Sequence, residues 1–120
     1  MSDTIIYKIL TGDQWAQFQA DGRFTGAPID ITDGYIHMST AAQVRETAAK
    51  HFAGQADLVL IAVDADSLGE KLKWEVSRGG DLFPHLYEPL DVAKAESVSS
   101  LPLGPDGQHD FPAGTCTSSG

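Results

Sequence analysis

The chain has one cysteine, Cys116, in its 120 residues, so it cannot close an internal disulfide. That fits a reducing compartment, and the polar surroundings of Cys116 give no reason to read it as a nucleophile. No apolar run approaches the roughly 20 residues that cross a bilayer. Met1-Ser2-Asp3-Thr4 offers neither a basic stretch nor a small-residue cleavage site. Together these predict a cytoplasmic protein without a membrane partner. Basic side chains are scarce, 8 against 17 acidic ones for a net charge of −9. Such a surface repels phosphate backbones, which argues against broad nucleic-acid binding. One phosphate in a small pocket stays possible, because exposed charges are screened beyond about 8 Å. Metal-site spacing is missing too. His37, His51, His85 and His109 show no i, i+4 pairing and no cysteine partner, and zinc sites need one or the other. Asp64-Ala65-Asp66-Ser67-Leu68-Gly69 fails as a calcium loop, since its third spaced position is Leu68 and no glutamate closes it. A turn is the better account. No internal repeat is evident.

What is present reads as one α+β domain over residues 1–103, with a disordered tail over 104–120. Hydrophobic residues make up 42% and charged ones 21%, ordinary proportions for a globular chain. Ile5 to Leu10 is an apolar, β-branched strand with Lys8 inside it. Thr11-Gly12-Asp13-Gln14 is a capping box opening a helix that carries Trp15 and Phe18 on one stripe, with Gly22 as its stop. Residues 23–33 read as a loop. Gly34 to Ser39 alternates as a strand and runs into a second capping box, Thr40-Ala41-Ala42-Gln43. The helix it opens extends from about Ala41 to Phe52, and His51 falls on its packed face. Leu58 to Val63 is apolar without alternation and predicts an interior strand. Lys71 to Val76 alternates again. Leu82 to Tyr87 is extended, with Pro84 pointing to an edge or an irregular strand. Val92 to Leu101 is the last strand.

Alternation gathers the chemistry. Tyr35, His37 and Ser39 share one strand face, Phe83, His85 and Tyr87 another, and Glu75 lies on a third strand. In each stretch the opposite face holds the aliphatic residues a core needs, so the polar faces meet water or line a common cleft. Two imidazoles and a carboxylate supply acid–base chemistry near neutral pH, and aromatic walls with a few convergent polar groups suit a small molecule. The strand carrying His37 also ends at a helix N-terminus, whose free N–H groups favour an anion. His37, His85 and Glu75 are therefore the candidate catalytic residues, with Tyr35, Ser39, Phe83 and Tyr87 as candidate ligand contacts. Ser39 beside His37 also suggests a nucleophile and base, without a nucleophile-elbow turn to support it. Thr40 reads first as a helix cap. A solvated Glu75 and a hydrogen-bonded structural His37 are the bland alternatives.

These segments also carry a resemblance. "IIYKIL", "GYIHMSTAAQV", "LKWE" and "LFPHLYEPL" together resemble a small bacterial domain-of-unknown-function family, the one numbered nine-fifty-two, over about residues 5–101. The resemblance implies a fold similar to that of ADP-ribosyltransferases, a sheet split around a cleft with two main helices, and a pocket for NAD, ADP-ribose or another nucleotide. In that pattern an early strand position often held by histidine is Lys8 here. His37-Met38-Ser39-Thr40 matches the second element, which adds Lys8 and Thr40 to the ligand contacts. The third position falls near His85, with Glu75 on the preceding strand. Two other classes stay open: a two-histidine phosphoesterase-like hydrolase, of whose paired motifs only His37-Met38-Ser39 is complete, and a non-catalytic interaction module.

Overall fold

Two apolar strands pair first. The computed structural model describes residues 5–76, 80–105, 107–109 and 111, and in it β1 (Ile5–Thr11) lies antiparallel to β5 (Leu58–Asp64) along their whole length. Both are buried on both faces, which explains why neither alternates. β4 (Ser39–Thr40) flanks β1 on one side, and β9 (Ala95–Leu101) flanks β5 on the other, giving the order β4-β1-β5-β9. A second antiparallel sheet holds β3 (Ile36–His37), β7 (Leu82–Leu86) and β6 (Leu72–Val76), in the order β3-β7-β6. A short ladder joins β2 (Arg23–Phe24) to β8 (Leu90–Asp91). The architecture is α+β.

Three helices complete it. α1 (Gly12–Asp21) and α3 (Ala41–His51) each begin with a full capping box, Thr11 with Gln14 and Thr40 with Gln43. Gly22 ends α1 in the left-handed region at φ +78°, where glycine carries no Cβ penalty. One face of the four-stranded sheet packs Ile6, Leu10, Ile61 and Val63 against Phe18, Ile36, Met38 and Leu86. The other packs Tyr7, Ile9 and Leu60 against Val44 and Ala48 of α3. No helix among the described residues is long and apolar enough to cross a membrane.

Four local expectations need correction. Residues 28–33, read as loop, form the short helix α2 (Pro28–Asp33), with Pro28 in its first turn and Gly34 ending it. Proline is at home there because the first-turn N–H has no helical acceptor anyway. The single strand expected over 34–39 is divided: Ile36 and His37 pair with β7, whereas Ser39 and Thr40 pair with β1. Met38 makes the crossing, its N–H donating to the Pro84 carbonyl at 3.0 Å. β7 is the middle strand of its sheet despite Pro84. Its ring sits level with that crossing, where the short β3 has ended, so few ladder bonds are lost. Finally, Ala65–Lys71 and Val92–Lys94 are 3-10 helical.

Beyond Leu103 the chain keeps contacts for some residues. Leu103 bridges His109, His109 Nε2 lies 2.7 Å from the Gln55 carbonyl, and the Arg45 guanidinium sits 4.8 Å from the Phe111 ring centre. The rest of the tail expected to be disordered, residues 106, 110 and 112–120 with Cys116, lies outside the described residues.

Candidate functional site

The site begins with a lysine whose charge cannot reach water. Lys8 lies on the Ile6–Leu10 face of β1 and is 9% exposed. An ammonium there requires a counter-charge, and α2 supplies it. Asp30, 1% exposed, meets Lys8 Nζ at 3.0 Å through Oδ2 and 3.3 Å through Oδ1. Lys8 also donates to the His37 carbonyl at 2.8 Å, and Phe24 lies beneath the ammonium at 5.9 Å.

Asp30 gathers the rest. Its Oδ2 accepts from the Ala27 N–H at 2.8 Å, and its Oδ1 takes the His37 N–H at 3.1 Å and the His37 ring Nδ1 at 2.6 Å. Burial pushes this carboxyl up, but the His37 bond, the Lys8 ammonium and the two backbone donors outweigh it and hold it at about 2. For Lys8, burial dominates and drives its pKa down, with Asp30 opposing. The close approach explains Gly26, at φ +128°: a Cβ there would come within 2.9 Å of Asp30 Cβ. His37 Nε2 meets a second carboxylate, Asp33 Oδ2, at 3.0 Å. Both contacts are hydrogen bonds at once only when the ring carries both protons.

His85 stands directly opposite His37 in the ladder, and the two ring centres are 5.5 Å apart at 71°. It is 2% exposed, and its Nδ1 meets Glu75 Oε1 at 2.8 Å. The same oxygen accepts from the Tyr87 hydroxyl at 2.6 Å. The Tyr87 and His85 bonds lower the Glu75 pKa. In return Glu75 raises the Tyr87 phenol to about 12. Tyr35 packs among them, stacked on His85 at 4.1 Å and 24°, and 4.7 Å from His37. Burial first, then Asp33 and Glu75, raise its phenol.

Beside the paired imidazoles lies a cavity of about 420 Å³, within the 300–1,000 Å³ usual for small-molecule sites. Of the residues singled out from sequence, Lys8, His37, Ser39, Phe83 and His85 line it. Tyr35 and Tyr87 line another hollow of about 260 Å³ instead, so of His37, Ser39, His85 and Tyr87, expected in one pocket, Tyr87 does not border the cavity of the other three. Thr40 is spent in capping α3, whose Gln43 N–H it accepts at 3.2 Å. Ser39 shares a hydrogen bond with Thr47 at 3.0 Å. Thr47 in turn donates to the Gln43 carbonyl at 3.1 Å, so the two hydroxyls form a short chain along α3.

Sequence reasoning missed Asp30, which ties Lys8 to His37, and it missed that His51 lines the cavity. A proline followed two positions later by aspartate was a possible signal of a helix N-terminus. Its burial was not readable. Among the described residues no group of three or more His, Cys, Asp or Glu is placed to hold a metal.

The model of a family described as a protein of unknown function, DUF952, matches residues 9–98. This chain belongs to that family. It is 53% identical to the protein CC0527 from Caulobacter crescentus, whose X-ray structure superposes with a TM-score of 0.86 over 89% of this chain and 94% of that one. The solution NMR structure of CC0527 gives a TM-score of 0.79 at 54% identity, over 87% of this chain and 90% of that one. No curated protein matches. DUF952 membership thus carries a fold and no reaction, and the chemistry rests on the site itself.

Proposed function

We propose that this DUF952 protein binds a small ring-bearing molecule beside His37 and His85 and acts on it by proton transfer through those two imidazoles. One observation carries the reading: two rings 5.5 Å apart, each with Nδ1 on a carboxylate, bordering one cavity. A carboxylate on Nδ1 fixes tautomer and orientation, and leaves Nε2 for chemistry. His37, held between Asp30 and Asp33, is the protonated partner and general acid. His85 donates Nδ1–H to Glu75 and keeps the lone pair of Nε2, which makes it the base. Asp33, with a side chain 41% exposed, is the contact a ligand displaces.

A nucleotide, with NAD or ADP-ribose first, is the ligand class that the sequence resemblance implies. The cavity volume supports a nucleoside-sized group, and Tyr7, Ile9, Phe52 and Phe83 give a base apolar walls. Phosphoester hydrolysis is the second reading, favoured by the short separation of the two rings.

Calorimetric titration with NAD, ADP-ribose, adenosine and a 2′,3′-cyclic nucleotide, with EDTA present throughout, separates these. Saturable binding of NAD or ADP-ribose supports the first reading, and turnover of the cyclic phosphate supports the second. His37→Gln and His85→Gln are expected to lower any turnover at least about 100-fold, the usual worth of a general acid or base. Turnover unchanged in both variants, or no binding at millimolar concentration, overturns the proposal in favour of an interaction module.

A further inference from the structure

β6 is the outer strand of the three-stranded sheet, and among the described residues nothing pairs with its outer side. Its register fixes what that side offers. Lys73 stands opposite His85 and Trp74 opposite Pro84, while the Tyr87 N–H donates to the Lys71 carbonyl at 2.8 Å. Antiparallel ladders alternate, so Lys71, Lys73 and Glu75 turn their backbone groups inward to β7. Leu72, Trp74 and Val76 turn theirs outward. Pro84 fits this phase, because the residue facing Trp74 has no N–H to give. All three outward residues are apolar; Leu72 is partly buried against the core, but Val76 is 69% exposed, Trp74 40%, and Leu82 beside them 53%.

A free edge is usually guarded by proline, a bulge or a lysine. Here Lys73 is followed two positions later by Glu75, and that changes what a second copy would meet. We propose that β6 is an interface between two copies of this chain, paired antiparallel about a twofold axis at Trp74. In that register Lys73 faces the partner's Glu75, and Glu75 faces the partner's Lys73. Leu72 faces the partner's Val76, and Trp74 faces its own counterpart. Each such pair stabilises a ladder, whereas like charges directly opposite destabilise it. Moving the axis to residue 73 sets lysine against lysine, and moving it to residue 75 sets glutamate against glutamate. The charge pattern therefore selects one register, self-complementary as a twofold contact demands. The result is a continuous six-stranded sheet with no open edge at its centre. It also brings a second ammonium, from the partner's Lys73, to the carboxylate that holds His85 and Tyr87.

Five residues a side make a small contact, below the 1,000 Å² or so of a permanent complex, so the dimer exchanges with monomer. Sedimentation velocity on the full chain, from about 10 µM to about 1 mM in low salt, suits affinities of that order. The wild type is expected to pass from monomer to dimer across that range. Lys73→Glu and Glu75→Lys, each checked for its fold by circular dichroism, are expected to weaken dimerisation at least tenfold. An equimolar mixture of the two variants is expected to restore it as a heterodimer, since every opposed pair is then of opposite sign. A wild type that stays monomeric at 1 mM overturns the proposal. So does a Lys73→Glu variant that dimerises like the wild type, or a mixture that remains monomeric.

Discussion

The two histidines are supported in opposite ways. The His37 ring is 29% exposed, but its carboxylate, Asp30, has a side chain only 1% exposed and is tied to Lys8 and two backbone N–H groups. The His85 ring is 3% exposed, but its carboxylate, Glu75, has a side chain 38% exposed and is held by one phenol. A buried anchor with several bonds orients a ring without much help from packing. A ring packed against Tyr35 needs only a light anchor. The first arrangement places a costly ion pair in the core. The second places almost none.

Asp30→Asn should disturb the two arrangements most unequally. It leaves the Lys8 ammonium buried without a counter-charge, and the expected loss is about 3 to 5 kcal/mol of unfolding free energy in urea. A loss no larger than that of Glu75→Gln would erase the distinction.

Acid titration tests the same asymmetry more gently. The Asp30 carboxyl is held at about 2 in the folded protein, below its ordinary 3.8. A lowered folded pKa stabilises fully above the unfolded value and ceases to do so as pH falls through the folded one. The expected loss is about 2 kcal/mol between about pH 4 and pH 2, and Asp30→Asn should lack that part of the curve.

Lys8→Met comes next. Asp30 then keeps His37 and both N–H donors, so about 1 to 2 kcal/mol is expected, less than for a wholly orphaned buried charge. The same substitution frees the His37 carbonyl, and ¹⁵N spectra of the His37 ring should show a changed tautomer or protonation balance. An unchanged ring would mean that the lysine serves packing alone.

Glu75→Gln is expected to have the smallest effect on stability, and its signature is spectroscopic. Without the carboxylate the Tyr87 phenol should fall from about 12 toward its ordinary 10.0, read by ultraviolet titration of the tyrosines. A phenol that stays near 12 would mean that something other than Glu75 sets it.

Much of this was legible in the residues, because local rules dominate where they act. Both capping boxes follow from a threonine with a glutamine three positions on, and both are present. The unbroken apolar run of residues 58–63 is an interior strand, and the alternation of Lys71 to Val76 sorts that strand's faces. The alternation around His37 and His85 also fits the ladder that sets them opposite each other. What escaped depends on partners far along the chain. Lys8 and Asp30 are 22 residues apart and pair only because α2 folds over β1; no periodicity marks a buried ion pair. The division of residues 36–40 between two sheets is equally non-local, since Met38 belongs to either strand by pattern. His51 looked like an ordinary helix-face residue, and only the cavity gives it a second meaning.

The assembly of the site from residues 8, 30, 37, 75 and 85 has a consequence for the protein's birth. Synthesis runs from the N-terminus at about 5 to 20 residues per second. The segment carrying Lys8, Asp30 and His37 is therefore made about 2 to 10 s before His85 joins it, 48 positions later. The self-sufficient anchor belongs to the half made first, and the half made last brings the imidazole that relies on packing. A nascent chain can thus settle its buried charge early, while its pair of facing imidazoles waits for β6 and β7 to emerge.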